Sequence, residues 1–285
     1  MKNILIFGVG LIGGSLSLAL KGANSQIVVT GSGRSESSLQ IALNLGIIDF
    51  IAHDINTCVQ AADIIVIAAP VAQTPIILSQ IKPYLIEHTV ITDVGSTKGD
   101  VARYALAILG DKACQFVPAH PIAGAEKTGP EAAKNDLFIG KNVIVTPNSS
   151  TSSLAIATVV EMWKTTGALI SSMTCVEHDA IFASVSHLPH LLAFALVDEL
   201  ASRPNADILF KFAASGFRDF TRIAGSSPEM WCDISLANKQ ALIDEISAYE
   251  IELKHLKKAL EDSNASVLLS LFERASAARN KWQKS

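Results

Sequence analysis

The stretch Met1–Leu20, MKNILIFGVGLIGGSLSLAL, decides the fold. Residues 3–7 form an apolar run of strand length, residues 8–14 a glycine-rich loop, and residues 15–20 an apolar run typical of a helix. A strand, a glycine loop and a helix in this order are the context of the dinucleotide-binding fingerprint. The opening of the chain therefore predicts a dinucleotide site, with a glycine-rich turn that binds no ligand as the alternative.

Each glycine of the fingerprint has its own physical task. Gly8 permits the tight turn, Gly10 lets the backbone approach a pyrophosphate, and Gly13 lets the helix pack against the strand. The free N–H groups of Leu11 and Ile12 lie at the positive end of the helix dipole, which favours an anion. We therefore predict that these five residues bind the cofactor.

The loop after the second predicted strand, Gln26–Thr30, indicates which dinucleotide is bound. An NAD enzyme usually places an acidic residue about twenty residues past the glycines, where it binds the ribose 2′-hydroxyl. No acidic residue occurs here before Glu36, whereas Ser32 and Arg34 suit a 2′-phosphate. We therefore expect a preference for NADP over NAD, and a solvated loop arginine is the alternative.

Strand-length and helical segments alternate up to Met173. Such alternation predicts an α/β fold with a doubly wound, mostly parallel sheet of Rossmann type. The further predicted strands are Asp63–Ala69 (ending at Pro70), Thr89–Asp93, Asn142–Thr146 and Ala168–Met173. The predicted helices are Ser37–Leu45, Thr74–Ile81, one that ends near Leu109, and Ser152–Thr166. No strand pattern follows, so we predict a dinucleotide-binding domain over 1–173 and an all-helical domain over 174–285.

The predicted helical domain contains two features that bear on its packing. Asp179 is predicted to cap a helix that reaches about Leu200, with a bend at Pro189 because proline lacks the N–H of a helical hydrogen bond. A later seam has heptad-like spacing and consists of Leu242, Ile246, Tyr249, Leu253, Leu256 and Leu260. Such a seam is buried either inside the subunit or against a second copy.

Composition and charge exclude several classes of function. The net charge is −4 and no basic block stands out, so nucleic acid is not expected as a partner. The uncharged stretch Asn142–Val160 is broken by Pro147, and the first apolar run is too short for the core of a signal peptide. The cysteines lack metal-ligand spacing and are scattered at Cys58, Cys114, Cys175 and Cys232. We expect a cytoplasmic protein with reduced thiols, without a metal or a membrane.

Two polar residues follow strands in the second half of the predicted sheet, namely Ser96 and His120. Ligands of open α/β sheets lie outside the carboxyl ends of the strands, so both residues can lie near a nicotinamide. A neutral imidazole can accept a proton from a hydroxyl that is being oxidised. His120 is therefore either a general base or a hydrogen-bonded core residue.

The helical region adds a second group of polar side chains. His187 and His190 are three residues apart, and Arg218 and Arg222 are four apart with Asp219 between them. Two histidines without a third ligand at useful spacing argue against a metal. An arginine in such a segment binds a carboxylate by bidentate hydrogen bonds, or it forms an ion pair with an acidic neighbour.

Five motifs in this order resemble the prephenate/arogenate (cyclohexadienyl) dehydrogenase family, over essentially the whole chain from Lys2 onward. They are Gly8–Ser15 (GVGLIGGS), Asp93–Lys98 (DVGSTK), His120–Gly124 (HPIAG), Val185–His190 (VSHLPH) and Phe217–Arg222 (FRDFTR). The resemblance implies an oxidative decarboxylation on the route to tyrosine. Hydride leaves C4 of a cyclohexadienyl ring for the nicotinamide, and the ring carboxylate leaves as carbon dioxide.

The resemblance also implies a role for particular residues. His120 accepts the proton of the 4-hydroxyl, and Ser96 holds that hydroxyl and the nicotinamide in register. Arg222 binds a substrate carboxylate, and His190 meets the side-chain end of the substrate. Glu126 and Asp219 orient or gate these groups, and Ser215 is a further substrate-binding residue. Trp231 packs near the site, and Pro70 lies beside the cofactor.

Two further expectations follow from the resemblance. Members of this family often form dimers through the helical domain, which agrees with the seam from Leu242 to Leu260. An N–H of His190 that donates to the pyruvyl side chain of prephenate would favour prephenate, with arogenate as a weaker substrate. Arg222 would bind the ring carboxylate that both substrates share.

Two rival classes explain part of the sequence. Dehydrogenases of the β-hydroxyacid or imine-reductase kind share a glycine loop and a helical second domain. They usually use a catalytic lysine in the helical part, and no motif around Lys211 or Lys239 indicates one. A dinucleotide sensor without catalysis would explain the glycines but not His120, His190 and Arg222 together.

Overall fold

The computed structural model describes residues 2–124 and 127–282. Its larger sheet has six parallel strands in the order β3-β2-β1-β4-β5-β6. The strands are β1 Asn3–Phe7, β2 Val28–Ser32, β3 Phe50–Ile51, β4 Ile64–Ile67, β5 Val90–Asp93 and β6 Phe116–Val117. The strand order reverses between β1 and β4, and ligands of such sheets bind at this point.

Helices cover both faces of this sheet, because its strands are apolar on both sides. Ile4 and Ile6 of β1 belong to one buried cluster, and Leu5 and Phe7 belong to another. The helices of this part are α1 Leu11–Ala23, α2 Glu36–Asn44, α3 Ile55–Ala61, α4 Thr74–Ile81 and α5 Gly99–Leu109. The predicted doubly wound sheet of Rossmann type is confirmed.

A second, three-stranded sheet contains two of the strands that the alternation assigned to the first. Its order is β7 Ala119–Pro121, β8 Asn142–Val145 and β9 Leu169–Ser172, with β7 antiparallel to β8. Helix α6, Ser153–Thr165, connects β8 to β9. The chain changes sheets at Pro118, which has no N–H for a strand ladder and whose carbonyl accepts the N–H of Thr146.

Helices make up the described chain beyond β9. The first five are α7 Cys175–Phe182, α8 Leu188–Ala201, α9 Ala206–Lys211, α10 Ser215–Thr221 and α11 Pro228–Ala237. A π-helical turn, Ala183–His187, directly precedes α8, and Pro189 is the second residue of α8, so the bend expected at Pro189 stays a prediction. The structure divides into compact units of residues 1–238 and 239–285, so the boundary at 173 stays a prediction.

Helix α7 begins differently from the prediction. Thr174 caps it in a capping box, because its hydroxyl accepts the N–H of Glu177 and the Glu177 carboxylate accepts the N–H of Thr174. The prediction that Asp179 caps this helix is wrong. The Asp179 carboxylate instead accepts the main-chain N–H groups of Lys98 and Gly99, at the start of α5.

The second unit consists of two helices, α12 Lys239–Glu261 and α13 Ala265–Trp282. The predicted seam lies on α12, where Tyr249, Leu253 and Leu260 are between 38% and 59% exposed. Large apolar side chains of α13, among them Phe272 and Trp282, are also exposed. The middle and end of the seam are therefore not buried within the described chain.

The helical run Cys175–Ala201 is long and apolar enough to cross a membrane, with a mean hydropathy of 1.7 in its most apolar window. The core helix of a globular protein passes the same test. His178 and His187 of this run are buried and hydrogen-bonded to Asp179 and Asn238. The absence of a membrane partner stays a prediction.

Candidate active site

The glycine loop has the geometry that a bound dinucleotide requires. Gly8 has a φ of +95°, and a Cβ there would lie 2.5 Å from the carbonyl oxygen of Ala68. A Cβ on Gly13 would lie 2.2 Å from the carbonyl oxygen of Gly8. A Cβ on Gly10 would meet nothing within 4 Å, so the backbone there faces open space. The loop therefore leaves room for a phosphate group at Gly10.

A cavity of ≈ 550 Å³ opens at the carboxyl ends of β1, β2 and β4. Five of the predicted cofactor residues contribute to it or adjoin it directly, namely Gly8, Gly10, Ser32, Arg34 and Pro70. Leu11, Ile12 and Gly13 form the first turn of α1, and Ser96, the ninth predicted cofactor residue, does not line the cavity. This turn has no side-chain cap and no acidic residue, so its N–H groups are suited to an anion. The described residues thus fit a dinucleotide, while each binding role stays a prediction.

The end of β2 carries hydroxyl groups and a positive charge. Ser35 caps α2, accepting the N–H of Ser38, and its hydroxyl lies 2.9 Å from that of Ser37. Ser32 and Arg34 line the cavity beside them. Among residues 2–124 and 127–282, no acidic side chain lines this cavity. This end of the cavity therefore offers hydroxyl groups and a positive charge, and the preference for NADP stays a prediction.

A buried ion pair joins the end of β5 to the start of β7. The Lys98 ammonium donates to the Asp93 carboxylate and, at 2.7 Å, to the carbonyl oxygen of Ala119. Asp93 accepts the N–H groups of Gly95 and Ala119 at 2.8 and 3.0 Å. Burial raises the pKa of Asp93, against the opposing effect of Lys98. The pair holds Ala119, and with it His120, against the larger sheet.

His120 lies in the middle of β7 and is half-buried. Its Nδ1 lies 2.9 Å from Nε2 of His178, whose Nδ1 lies 2.8 Å from Oδ1 of Asp179. The ring of Phe182 packs against both histidines. Burial, followed by the positive charge of Lys98, lowers the pKa of His120 well below its ordinary value of 6.5. The imidazole is therefore neutral at neutral pH and able to accept a proton.

Asp179 stands at the far end of the hydrogen-bonded series His120–His178–Asp179, where two main-chain N–H groups hold it. The N–H groups of Lys98 and Gly99 donate to its two oxygens at 2.9 and 2.8 Å. Burial raises the pKa of Asp179, but the hydrogen bonds from His178 and from the two N–H groups outweigh it and lower the pKa overall. Asp179 is therefore a carboxylate that only accepts hydrogen bonds.

His187 is buried next to the main chain of Ser96. Its Nδ1 lies 3.1 Å from the side-chain nitrogen of Asn238, which also donates to the carbonyl oxygen of Asp179. Burial lowers the pKa of His187 to about 4. Its Nε2 is buried without a hydrogen-bond partner among the described residues, and the main chain of Ser96 lies beside it. The structure thus brings the loop that carries Ser96 to the helical histidines.

His190 stacks on Trp231, with ring centroids 3.7 Å apart and an angle of 20° between the planes. Its Nδ1 lies 2.8 Å from the carbonyl oxygen of Ser186, so Nδ1 carries a proton. Burial lowers the pKa of His190. The neutral ring therefore offers Nε2 as an acceptor, and the expectation that neutral His190 donates an N–H to prephenate is wrong. Only its imidazolium form can donate there.

The remaining predicted residues lie on α10 and in the turn that follows it. Ser215, Asp219 and Arg222 are exposed, as is Arg218. Arg222 is close enough to His190 for its charge to contribute to the lowered pKa of the imidazole. Glu126 lies outside the described residues. The substrate contacts assigned to these side chains stay predictions.

Two family models cover most of the chain. The model described as prephenate dehydrogenase, nucleotide-binding domain, matches residues 16–172, and the one described as prephenate dehydrogenase, dimerization domain, matches residues 174–274. The chain belongs to the prephenate dehydrogenase family. The family that the sequence motifs resemble is thereby confirmed.

Curated relatives and a solved structure agree with this membership of the prephenate dehydrogenase family. The chain is 40% identical to the prephenate dehydrogenase of Bacillus subtilis over 98% of this chain and 76% of the relative. It is 34% identical to the cyclohexadienyl dehydrogenase of Zymomonas mobilis over 98% of this chain and 95% of the relative. The crystal structure of prephenate dehydrogenase from A. aeolicus, in complex with hydroxyphenyl propionate and NAD+, is 37% identical. It has a TM-score of 0.92 and covers 99% of this chain and 98% of its own.

Sequence reasoning missed the residues that adjoin His120 from α7. His178 was not singled out at all, and Asp179 was assigned to a helix cap. A signal was present, because three consecutive polar residues, Glu177–Asp179, stand between the apolar residues Val176 and Ala180–Phe182. Nothing in their spacing, however, indicates that they meet a strand 58 residues earlier in the chain.

Proposed function

We propose that the chain catalyses the oxidative decarboxylation of prephenate, with arogenate as a second substrate, and transfers hydride to a nicotinamide cofactor in tyrosine biosynthesis. The observation that carries this proposal is the half-buried imidazole of His120 on β7, 2.9 Å from His178 in a chain with a dinucleotide fold. Prephenate and cyclohexadienyl dehydrogenases are similar to this chain over nearly its full length. The cofactor supplies the hydride acceptor when bound.

His120 handles one proton in this reaction. As C4 of the substrate loses its hydride, positive charge develops on the 4-hydroxyl oxygen, and His120 accepts the hydroxyl proton. The bond between C1 and the carboxylate breaks, and its electron pair makes the ring aromatic. The proton then returns from His120 to the ring oxygen, so the reaction releases carbon dioxide but no net proton.

Other residues hold the substrate while this proton moves. Arg222 binds the ring carboxylate by charged hydrogen bonds, and Ser96 holds the hydroxyl close to His120. The substrate-binding part of the site also includes Ser215, Asp219 and Glu126. These groups confer affinity and orientation, and aromatisation supplies most of the driving force.

An assay of cofactor reduction at 340 nm tests the proposed activity. Prephenate and arogenate are each combined with NAD and with NADP, using the purified full-length chain. We expect reduction with prephenate. A dinucleotide sensor would reduce nothing in any combination, and an enzyme of the β-hydroxyacid kind would be inactive with both substrates while oxidising a 2- or 3-hydroxy acid.

We propose further that the cofactor is NADP in preference to NAD, because Arg34 and Ser32 line the cavity where an acidic residue would bind the ribose hydroxyl. The Arg34→Ala variant is expected to raise the Michaelis constant for NADP more than that for NAD. Arg203→Ala, at an exposed arginine paired with Glu199, serves as the control. A wild type that prefers NAD, with an Arg34→Ala variant that behaves like it, contradicts the preference.

His190 is proposed to make substrate choice depend on pH. Below its pKa, the imidazolium donates to the side-chain oxygens of prephenate and repels the ammonium of arogenate. Above its pKa, Nε2 accepts from that ammonium. Because burial places this pKa below 6.5, the efficiency ratio of prephenate to arogenate is expected to fall as pH rises toward neutrality. A change of about tenfold corresponds to one hydrogen bond to a charged group.

The ratio isolates His190 from the other groups nearby. His120 and Arg222 serve both substrates, so their effects cancel in the ratio, and burial lowers the pKa of His187 to about 4. The measurement compares the ratio from pH 8 down to the lowest pH at which the enzyme stays folded, in the wild type and in His190→Val, whose ratio should not vary. A wild-type ratio that is constant over this whole range would contradict the proposed contact between His190 and the substrate side chain.

We also propose a homodimer that forms through the helical region. The exposed seam of α12 and the exposed apolar side chains of α13 need a partner, and the family model over residues 174–274 is described as a dimerization domain. Light scattering should give twice the chain mass of 30.3 kDa. A monomer at micromolar concentration would contradict the dimer.

The cellular setting stays a prediction. The four cysteines Cys58, Cys114, Cys175 and Cys232 are all free thiols, which agrees with a reducing compartment such as the cytoplasm. That neither nucleic acid nor a metal takes part in its function also stays a prediction. It rests on the net charge of the chain and on the spacing of its histidines and cysteines.

A further inference from the structure

We propose that His178 and Asp179 are positioning residues that fix the tautomer of His120, so that its Nε2 carries no proton and is the atom that accepts the substrate proton. This inference rests on the proposed function for its catalytic meaning. The tautomer itself follows from the hydrogen bonds of the protein alone.

The argument begins at Asp179, whose orientation is fixed from two sides. Its two oxygens accept the main-chain N–H groups of Lys98 and Gly99, which cannot move without disturbing the start of α5. Both of those donors and His178 approach the same carboxylate. A carboxylate has no proton to donate, so the ring atom of His178 that faces it must be the donor.

The proton on His178 is therefore located on Nδ1, 2.8 Å from Asp179. The side chain of His178 is fully buried. A neutral ring with its proton on Nδ1 has a bare Nε2, and this atom lies 2.9 Å from Nδ1 of His120. The hydrogen bond between the two rings then requires that His120 is the donor through Nδ1.

His120 consequently has its single proton on the inner nitrogen and a free electron pair on Nε2. The reverse arrangement would need a doubly protonated His178 that donates to His120. Burial and the nearby charge of Lys98 both oppose a positive charge on His178. The opposite tautomer of His120, with its proton on Nε2, would place two bare nitrogens 2.9 Å apart and is disfavoured.

The same chain stabilises the product of proton transfer. When Nε2 of His120 takes the substrate proton, the ring becomes an imidazolium, and its Nδ1–H donates more strongly to His178. Asp179 supplies the compensating negative charge through His178. An aspartate that orients a histidine acts in this way in the serine-protease triad, where it holds the imidazole in one tautomer. Here a second histidine stands between the aspartate and the base.

Two substitutions of His178 separate hydrogen bonding from packing. His178→Phe keeps a ring against His120 and Phe182 but removes the acceptor. His178→Gln provides a side-chain oxygen that can accept from Nδ1 of His120. Asp179 is left unchanged, because its substitution would also remove the main-chain hydrogen bonds at α5. His53→Phe, at an exposed histidine outside the site, is the control.

The kinetic expectation distinguishes the two variants. His178→Phe should lower kcat at least about tenfold with little change in KM, since part of the His120 population then carries its proton on Nε2. His178→Gln should recover most of that loss, and His53→Phe should behave like the wild type. Thermal melting of each variant verifies that it is folded. Equal losses in a folded His178→Phe and a folded His178→Gln would overturn the proposal.

The direct measurement is the tautomer of His120, read from imidazole ¹⁵N chemical shifts in histidine-labelled protein without substrate. We expect a protonated Nδ1 and a bare Nε2 in the wild type and in His178→Gln, and a mixture in His178→Phe. A wild type with its proton on Nε2 overturns the inference. Because this readout needs no turnover, a wild type inactive on prephenate would count against the proposed function alone.

Discussion

The His120→Asn variant will bind the dinucleotide as the wild type does and will turn over prephenate at least about a hundredfold more slowly. Asparagine approximates the shape of the imidazole near the backbone and can still donate to His178, but its amide does not accept a proton at neutral pH. The cofactor cavity is formed by β1, β2 and β4, whereas His120 lies on β7 in the second sheet. Binding and proton acceptance are therefore carried by different parts of the fold.

The measurement combines steady-state kcat with cofactor affinity from a fluorescence titration. In the wild type, kcat should fall as acid protonates His120, and this limb should lie below pH 6.5 because burial and Lys98 lower its pKa. The limb should be absent from the residual rate of His120→Asn. A variant that retains more than about a tenth of the wild-type rate would contradict a general base of ordinary strength.

The Lys98→Met variant will lose about 3–5 kcal/mol of the free energy of unfolding. The side chains of Lys98 and Asp93 are 0% and 2% exposed, so removal of the ammonium leaves a carboxylate that is buried without its counter-charge. Part of the loss is relieved if Asp93 takes up a proton, which burial already favours. The carbonyl oxygen of Ala119 also loses its donor.

Urea denaturation followed by circular dichroism measures this loss. The matched control is Arg203→Met, which breaks an ion pair with Glu199 whose side chains are 48% and 56% exposed. Exposed pairs contribute at most about 1 kcal/mol, so the control should stay close to the wild type. Similar stabilities for the two variants would show that the buried pair contributes no more than an exposed one.

Local signals in the sequence predicted four of the six strands of the first sheet, β1, β2, β4 and β5, but not the two-residue strands β3 and β6. The apolar run of β1, the glycine loop and α1 follow one another without a gap, and each is specified by its own residues. Local signals did not predict which sheet the later strands would join. Asn142–Val145 and Leu169–Ser172 are strands as predicted, but period and composition do not specify a strand's partner. Their membership in a separate sheet follows from the change of direction at Pro118.

The candidate site shows the same limit. His120 and Ser96 could be proposed because each follows a strand, and the carboxyl ends of strands have a known place in such sheets. His178 and Asp179 reach His120 only through the packing of α7, which the sequence does not encode as a pattern. The limit on His190 as a donor has a related reason, because in the folded helix its Nδ1–H donates to the carbonyl of Ser186, which leaves a neutral ring without a second N–H.

The π-helical turn Ala183–His187 has a consequence for comparing this chain with its relatives. A π turn holds one residue more than an α turn, so it acts as a one-residue insertion in an otherwise continuous helix. Each residue of an α-helix advances the side-chain direction by about 100°. A homologue that lacks this residue would align with a single gap between α7 and α8. Inserted without a π turn, the extra residue would rotate His190 by this angle away from Trp231. Because the wider turn absorbs it, the counterparts of His178 and of His190 in such a homologue keep their directions.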